Sequence, residues 1–200
     1  MSRPIQEFAD LLAQLPGIGP RQARRIVQHL LAKDQPYREQ FGRFFETIGG
    51  HISPCTSCFR YDDIPKGGVC PVCADPKRES QTLIVVEKDV DIDGIENSGA
   101  YHGRYFVLGG LMAMARQRKN RAKPRTHKLI ERIGKNGIEE VILALSTTPE
   151  GDYTAHEILR ELKANYARLK ITLLGRGLSV GAEIEYADQE TIRNALKNRS

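Results

Sequence analysis

All four cysteines of this chain lie within one short stretch and form two Cys-x-x-Cys pairs. Cys55 and Cys58 make the first pair, Cys70 and Cys73 make the second, and eleven residues separate the pairs. A Cys-x-x-Cys turn lets two thiolates reach one cation, and two such turns complete a tetrahedral shell of four sulfurs. Soft thiolate donors in this geometry favour Zn²⁺, and with no ligand position left for water the ion would be structural. The sequence therefore predicts one zinc ion that orders a segment too short to form a core by itself.

Disulfide bonds and a redox-active pair are the alternatives to a metal site. Disulfides persist in oxidising compartments, whereas residues 1–10 include acids and lack the apolar stretch of a secretion signal. A redox pair is expected at a strand–helix junction, but here the turn-rich segment 62–68 lies between the pairs. His51, four residues before Cys55, is a candidate fifth ligand, although packing or hydrogen bonding near the cysteines is the simpler expectation.

The positive charge of the chain is concentrated in one segment. The formal net charge is +5 over 200 residues. Seven basic residues and no acid lie between Met112 and Lys128, namely Arg116, Arg118, Lys119, Arg121, Lys123, Arg125 and Lys128. A localised basic patch indicates a polyanionic partner, nucleic acid above all. No apolar run is long enough to cross a membrane, so we expect a soluble protein without a membrane partner.

The first fifty residues predict three helices. Apolar residues at helical spacing indicate a first helix that ends near Leu15, a tight turn at 15–20 in which glycines take positive φ, and a second helix from Pro20 or Arg21. A further apolar stripe predicts a third helix, closed by two glycines at 49–50, whose apolar face belongs to the core. The residues of this stripe are Tyr37, Phe41, Phe44, Phe45 and Ile48.

The turn Leu15-Pro-Gly-Ile-Gly-Pro20 and the basic helix after it resemble a helix-hairpin-helix module. Glycines in the turn would let backbone N–H groups approach a phosphate beside the positive N-terminus of a helix, and arginines would extend that contact along the backbone. Such contacts carry no sequence information. The residues expected to contact DNA are Gly17, Gly19, Arg21, Arg24 and Arg25. The alternative is an ordinary helical hairpin with solvated arginines.

From residue 80 onwards the sequence alternates between strands and helices. Strands are predicted at 82–86, 104–108, 140–145 and 170–174, a last short strand at 183–186 and a final helix at 189–197. This alternation predicts an α/β fold with a mostly parallel sheet and helices on both of its faces. The predicted regions are 1–50 for the hairpin, 51–79 for the cysteine module, 80–175 for the sheet and 176–200 for a glycine-rich C-terminal segment.

Acidic residues follow the predicted strands, at the edge where functional groups of parallel sheets gather. Glu87 ends the first strand of the sheet, Asp91 and Asp93 come shortly after it, and Glu150 is expected in the loop after the third strand. Carboxylates that converge there could hold Mg²⁺ for phosphoryl transfer. The simpler interpretation of the two aspartates is the solvated start of a helix.

The strand–helix region resembles a Toprim domain, the metal-binding unit of primases and topoisomerases. Glu87 matches the glutamate that this family has after its first strand. The segment after the third strand, 146–152, lacks the family's Asp-x-Asp, and the pair at 91–93 lies in a different loop. The resemblance leaves a magnesium-dependent nuclease or primase-like enzyme as the alternative function, but the missing pair argues against metal-dependent catalysis.

The order of these parts resembles the RecR family of bacterial recombination mediators. The residues that carry the resemblance are 15–20, the four cysteines, 85–87, 103–110, 149–151 with Thr154 and Ala155, and 177–181 with Glu185 and Tyr186. The resemblance implies a DNA-binding, non-enzymatic protein of DNA repair that acts with RecO, and sometimes RecF, to help load RecA onto single strands coated by single-strand-binding protein. It also implies dimers or ring-like tetramers, assembled through the N-terminal and C-terminal segments, on the nucleoid in the bacterial cytoplasm. Glu87 and Glu150 would then dock a partner instead of catalysing a reaction.

One segment departs from this family. After Gly110 the family usually continues with a sequence like Ser-Pro-Leu-Asp-Gly-Ile-Gly-Pro, whereas here the basic segment 111–128 follows. We expect its residues Arg116, Arg118, Lys119 and Arg121 to add phosphate contacts, and the alternative is a solvated loop. Because the cysteine module lies between the hairpin and the sheet, we expect it to act as a rigid joint and not to touch DNA itself.

Overall fold

The part of the chain that the computed structural model describes comprises residues 2–112, 124–135, 137–175, 177–178 and 181–197. Two units make up the chain, and the division between them falls between Ile52 and Ser53. The predicted phosphate contacts of the basic segment, Arg116, Arg118, Lys119 and Arg121, lie outside the described residues.

The first unit consists of three helices, α1 (Arg3–Leu12), α2 (Pro20–Leu31) and α3 (Gln35–His51). Small side chains allow α1 and α2 to pack closely, because Ala9, Ala23 and Val27 are at most 2% exposed. Partly buried apolar residues surround this core, namely Ile5, Leu12, Ala13 and Ile18. Helix α1 ends three residues earlier than the apolar pattern predicts, and Leu15 belongs to the turn.

Helix α3 differs from the prediction in two respects. It begins at an N-cap formed by Asp34, which accepts a hydrogen bond from the Tyr37 N–H at 3.2 Å, and it continues through both glycines to His51. The prediction that its apolar stripe is core is wrong. Phe41, Phe44, Phe45 and Ile48 are between 42% and 71% exposed. Periodicity predicts which residues share a face of the helix, but it does not say whether the same chain covers that face.

The second unit begins with the cysteine module. Its short elements are β1 (Ile52–Pro54), β2 (Tyr61–Asp63), which pairs with β1, and α4 (Pro71–Ala74). The sheet follows, with strands β3 (Thr82–Val86), β4 (Arg104–Val107), β5 (Glu140–Ala144) and β6 (Lys170–Leu173) in the order β4-β3-β5-β6. All three strand pairings are parallel, which confirms the predicted α/β fold.

Helices cover both faces of this sheet, as the strand–helix alternation predicts. They are α5 (Val90–Ser98), α6 (Thr126–Lys135) and α7 (Pro149–Asn165). Alternate residues of a strand point to opposite faces, so Leu83 and Val85 pack with residues of α6 and α7. Ile84 and Val86 instead pack with Ile92 of α5 and with the cysteine module. The module therefore shares a hydrophobic core with the sheet.

The C-terminal part contains a 3₁₀ helix (Ile184–Tyr186) and helix α8 (Gln189–Lys197). The last short strand predicted at 183–186 is wrong, because the Tyr186 N–H bonds to the Glu183 carbonyl at 3.2 Å and the segment turns. Asp188 directly precedes α8, and its carboxylate accepts hydrogen bonds from the N–H groups of Glu190 and Thr191 at 2.9 Å. Among the described residues, no helix combines the length and the apolar character that spanning a bilayer requires.

Candidate metal centre and nucleic-acid interface

The four cysteine sulfurs converge on one point, as their spacing predicts. All four Sγ atoms lie within 4.8 Å of one another, and those of Cys58 and Cys70 are 3.6 Å apart. A tetrahedral shell with metal–sulfur bonds of about 2.3 Å has sulfur–sulfur distances of about 3.8 Å. All four are free thiols, so the alternative of disulfide bonds is not adopted. The chemistry and the spacing of these donors fit a single metal ion.

Backbone N–H groups orient the first sulfur. The N–H groups of Ser57, Cys58 and Cys70 donate to the Cys55 Sγ at 3.4, 3.5 and 3.3 Å. The third of these bonds joins the second cysteine pair to the first, so the fold brings the pairs together through backbone contacts as well as through any ion.

Crowding of the thiols makes their protonation states depend on one another. A hydrogen bond with Cys70, followed by one with Cys73, raises the pKa of Cys58. The hydrogen bond from Cys58 lowers the pKa of Cys73 to about 4, and the positive charge of Arg132 acts in the same direction. Four crowded thiolates, three of them buried, cannot be charged together without a cation among them. The electrostatics of the cluster therefore favour a bound divalent ion.

Two arginines fasten the cysteine module to the sheet, and sequence reasoning missed both. Arg104, the first residue of β4, donates from Nη1 to the carbonyls of Cys73 at 2.6 Å and Val72 at 3.2 Å. Arg132 of α6 donates from Nη1 to the carbonyls of Ser57 at 2.6 Å and Tyr105 at 2.7 Å. For Arg104 the sequence gives a weak signal, because a cation stands at the start of an apolar strand. For Arg132 it gives none, because charged residues commonly flank the apolar stripe of a helix.

Phe59 joins the module to the sheet by a different means. Its φ of +64° is the one positive value outside glycine in the described part of the chain. This conformation costs a residue with a side chain about 1–2 kcal/mol, and Phe59 adopts it directly after the first cysteine pair, where its N–H bonds to the Cys55 carbonyl at 2.9 Å. The ring packs edge-on against Phe106, with centroids 5.4 Å apart, and lies under the Arg125 guanidinium at 5.2 Å. The burial of the ring between module and sheet offsets the local strain.

His51 does not belong to the metal centre. It is exposed at the end of α3. Within the described ranges, the four cysteines are the only group of three or more metal-binding side chains that lie close together.

The turn of the helical hairpin follows directly from its sequence. The Ile18 N–H bonds to the Leu15 carbonyl at 3.1 Å. Pro16 occupies the second position of this four-residue turn, and Gly17, with a φ of +80°, occupies the third. Proline second and a positive-φ glycine third define a type II turn. Positive φ was also expected at Gly19, but its φ is −80° and its N–H donates to the Gln22 Oε1 at 3.0 Å. Of these two glycines, only Gly17 therefore requires the conformational freedom of glycine.

Three arginines line the solvent side of α2. Arg21, Arg24 and Arg25 are all exposed, with Arg21 and Arg25 on the face opposite Ala23 and Val27 and Arg24 beside them. No carboxylate of the described residues forms a salt bridge with any of the three. Positive charge is therefore concentrated along one edge of the hairpin, next to the N-terminus of α2.

Glu87 and Glu150 line the same pocket at the carboxyl edge of the sheet, although Glu150 lies in the first turn of α7 and not in a loop. The pocket has a volume of about 330 Å³ and includes Ser146 and Thr148. Glu87 is only 9% exposed, and its Oε1 lies 3.5 Å from the Lys88 Nζ. Two carboxylates on different elements thus reach one concave surface.

Asp91 and Asp93, the two aspartates that follow β3, make structural contacts. Both lie in the first turn of α5, in agreement with the simpler interpretation. Asp91 accepts a hydrogen bond from the Lys88 N–H at 2.7 Å, and Asp93 pairs with the Arg60 Nη2 at 2.8 Å. Acids at a helix N-terminus also interact favourably with its dipole.

The first turn of α7 is held in place by a close approach and two hydroxyl groups. The Thr148 hydroxyl caps the helix by accepting from the Gly151 N–H at 3.1 Å. A Cβ at Gly151 would lie 1.8 Å from the Ser146 carbonyl oxygen, so only glycine fits there. Thr154 is fully buried and donates to the Glu150 carbonyl at 2.7 Å while it accepts from the Met112 N–H at 2.9 Å. These contacts set the position of the pocket wall that carries Glu150.

These parts define a class of modular Toprim protein, in which a helical hairpin and a four-cysteine centre precede a parallel sheet. Comparison with family models agrees, since the model for the helix-hairpin-helix of RecR matches residues 5–46 and that for the Toprim domain matches residues 81–174. The model for the C-terminal part of RecR matches residues 177–200.

Full-length relatives identify the family. The chain is 40% identical to "Recombination protein RecR" of Rhizorhabdus wittichii over 201 residues, which cover 100% of this chain and 98% of that protein. It is 38% identical to the protein of the same name from Porphyromonas gingivalis, over 100% of this chain and 93% of that protein. The corresponding protein of Syntrophobacter fumaroxidans is 36% identical over 98% of this chain and 94% of its own length. The chain belongs to the RecR family of recombination proteins.

Proposed function

We propose that this protein is a DNA-binding mediator of recombinational DNA repair that has no catalytic activity of its own. The observation that carries the proposal is the row of exposed arginines, Arg21, Arg24 and Arg25, beside the type II turn, in a chain related to RecR proteins over its whole length. In this proposal the row and the turn residues Gly17 and Gly19 bind phosphates, so binding is independent of sequence.

The partners follow from the proposed role. The protein would act with RecO, and in some settings RecF, to help load RecA onto single strands coated by single-strand-binding protein. It would do so on the nucleoid in the bacterial cytoplasm, because the DNA that it would bind is chromosomal. In this proposal, residues 1–50 bind DNA and residues 51–79 form a rigid joint. Residues 80–175 dock a partner, and residues 176–200 make the assembly contacts.

Salt-dependent DNA binding tests the arginine row. Replacing Arg21, Arg24 and Arg25 with Gln removes three phosphate contacts, and each contact contributes about 0.9 to the slope of log affinity against log salt for duplex DNA. We expect the slope to fall by roughly 2–3. The matched control replaces Arg3, Lys33 and Arg43, three exposed cations of the same unit, with Gln. Equal slopes for the two triple variants would contradict the proposal.

RecA loading tests the mediator role. Fluorescence of labelled single strands can report the lag before RecA displaces single-strand-binding protein. We expect RecO and this protein together to shorten the lag, and the arginine variant to restore it. Magnesium-dependent cleavage or primer synthesis that disappears in Glu87→Gln would instead support the alternative Toprim enzyme.

We propose that the four cysteines, Cys55, Cys58, Cys70 and Cys73, hold one structural Zn²⁺ per chain. Tetrahedral sulfur sites of this kind bind zinc or iron. The absence of a ligand position for water supports a structural and not a catalytic ion. Elemental analysis of the purified protein is expected to give one zinc per chain, and an equivalent amount of iron would overturn the choice of metal.

We propose that a second copy of the chain covers the apolar stripe of α3. Four large side chains between 42% and 71% exposed form a surface of the kind that marks a protein interface. Ile184 and Tyr186, 67% and 81% exposed, support a second contact in the C-terminal segment. Together these surfaces would allow dimers and ring-like tetramers. In such assemblies several weak phosphate-binding sites act on one DNA molecule, which raises the overall affinity.

Light scattering tests this assembly. We expect the wild type to have the mass of two or four chains, and Phe44→Asp with Phe45→Asp to lower it. Val90→Asp is the control, because Val90 is 69% exposed on α5, outside the stripe. A wild type that is monomeric with and without DNA would refute the proposal.

We propose that the pocket of Glu87 and Glu150 docks a protein partner, RecO being the candidate. Its two carboxylates favour a basic surface on that partner. Replacement of both with Gln is expected to weaken RecO binding in calorimetry. Glu157→Gln, which changes a partly exposed acid that pairs with Arg160, is not expected to do so. The basic residues Arg116, Arg118, Lys119 and Arg121 remain proposed DNA contacts, and their replacement by Ala should weaken binding to all sequences.

A further inference from the structure

A basic pocket lies between the first cysteine pair and α6. It has a volume of about 470 Å³, and its walls include Ser57, Lys128, Glu131, Arg132 and Lys135. All of these residues belong to the second unit, so the pocket is distinct from the arginine row of α2. Three cations and one acid make it electropositive.

The single acid of this pocket holds both of its lysines. The Glu131 carboxylate lies 2.7 Å from the Lys135 Nζ and 3.2 Å from the Lys128 Nζ. The hydrogen bond from Lys135, followed by that from Lys128, lowers the pKa of Glu131 to about 2. Both ammonium groups are mostly exposed and therefore able to turn towards another anion. Glu131 thus keeps two cations at the rim of the pocket while it neutralises only one charge.

The third cation has an unsatisfied donor. Arg132 is fixed in position because its Nη1 donates to the carbonyls of Ser57 and Tyr105. Its Nε is buried and has no hydrogen-bond partner within the described part of the chain. A buried guanidinium N–H without an acceptor is uncommon in folded proteins and indicates a missing partner. Because Arg132 lines the pocket, an oxyanion there would bring the complementary charge to this guanidinium.

The pocket also continues the basic part of the sequence. Lys128 is the last basic residue of the segment 112–128. Arg125, three residues earlier, lies over the ring of Phe59, which is part of the pocket wall. The described end of the basic segment therefore lies at this pocket.

We propose that the pocket binds a backbone phosphate of nucleic acid, and that Glu131 holds Lys128 and Lys135 in place until the phosphate displaces it. The proposal rests on the proposed DNA binding and adds a contact from the second unit. The cysteine module would contribute to this contact through the walls of the pocket and not through its metal.

Two variants of the full-length, metal-loaded protein, each with a matched control, test the pocket. One is expected to lower the affinity for DNA and the other to raise it. Replacing Lys128 and Lys135 with Gln should weaken DNA binding roughly threefold to tenfold, and should lower the salt slope by about 0.9 for the phosphate lost. Its control replaces Lys163 and Arg168, two exposed cations outside the pocket, with Gln. Glu131→Gln should strengthen binding, because it removes the competing acid, whereas Glu157→Gln should not.

The outcomes separate this pocket from the general DNA-binding function. If both pocket variants bind like their controls while the arginine variant of α2 binds more weakly, the pocket is refuted and DNA binding stands. If inorganic phosphate raises the melting temperature of the wild type but not of the double lysine variant, while DNA affinity is the same for both, the pocket takes a free anion and the proposal is overturned. Opposite shifts for the lysine and Glu131 variants, with unchanged controls, would support it.

Discussion

Gly151→Ala is the substitution whose cost the structure defines most sharply. The new Cβ would lie 1.8 Å from the Ser146 carbonyl oxygen, whereas ordinary contact begins at 3.4 Å. The backbone would have to move by about 1.6 Å, the difference between these distances. Such a movement separates the Gly151 N–H from the Thr148 hydroxyl that caps α7 at 3.1 Å. A clash between backbone and side chain cannot be relieved by a change of rotamer, so the first turn of the helix must shift.

The expected loss of stability combines two contributions. Overpacking typically costs about 1–3 kcal/mol, and loss of an N-cap hydrogen bond costs about 1 kcal/mol. We therefore expect the free energy of unfolding to fall by about 2–4 kcal/mol. For a unit of this size, the melting temperature should fall by roughly 5–15 °C. The adjacent carboxylate of Glu150 moves with the helix, so binding of the partner that we propose for this pocket should weaken as well.

Gly94→Ala is the matched control for this experiment. It makes the same chemical change in a helix of the same unit, and its Cβ would meet nothing within 4 Å. Replacement of a helical glycine by alanine should stabilise the protein by up to about 1 kcal/mol. Calorimetry or circular dichroism would compare both variants with the wild type. If Gly151→Ala melts at or above the wild-type temperature, the inferred close approach of α7 to the preceding loop is wrong.

Three further predictions concern the cysteine module and the sheet. Cys55→Ser should lose the bound metal and lower the melting temperature, which elemental analysis and calorimetry would show, and a fully metallated variant would contradict the assigned ligand set. Thr154→Val should lower the free energy of unfolding by about 1–3 kcal/mol, because the Met112 N–H is left without its acceptor, and urea denaturation with an unchanged midpoint would refute this. The hydrogen bond from Arg78 lowers the pKa of Glu96 in the folded protein, so its stabilisation is complete above the unfolded pKa of about 4.3 and disappears as the pH falls through the lower folded value. The stability difference between wild type and Glu96→Gln should therefore be largest above about pH 5 and shrink below about pH 4, and a difference that does not change with pH would refute the ion pair.

Patterns that depend on local chemistry could be read from the sequence. The start of α2 at Pro20, the strand β3 and the convergence of the cysteines follow from proline at a helix start, a short apolar run and a fixed ligand spacing. The parallel strand pairings and both helix-covered faces agree with the alternation of elements. The first three of these features are determined by residues close together in the chain.

Features that depend on distant partners could not be read in the same way. The apolar stripe of α3 has the periodicity of a core helix, yet Phe45 is 71% exposed. Arg104 and Arg132 have the composition of ordinary surface residues, and only the fold brings them to the carbonyls of Cys73 and Ser57. Periodicity describes one element, whereas covering a face or capping a carbonyl requires a second element that the pattern does not specify.

The contacts of the cysteine module determine the order in which functions should fail when the metal is lost. Its carbonyls are held by arginines from β4 and α6, and the Val107 N–H donates to the Cys58 carbonyl at 2.8 Å. Loosening the module therefore releases Arg132, which fixes one wall of the basic pocket, before it affects the distant strands β5 and β6. Stability and phosphate binding at the pocket should decline together, because they depend on the same clamp. A metal-free variant that keeps its melting temperature but loses DNA binding would show instead that the module contacts DNA directly.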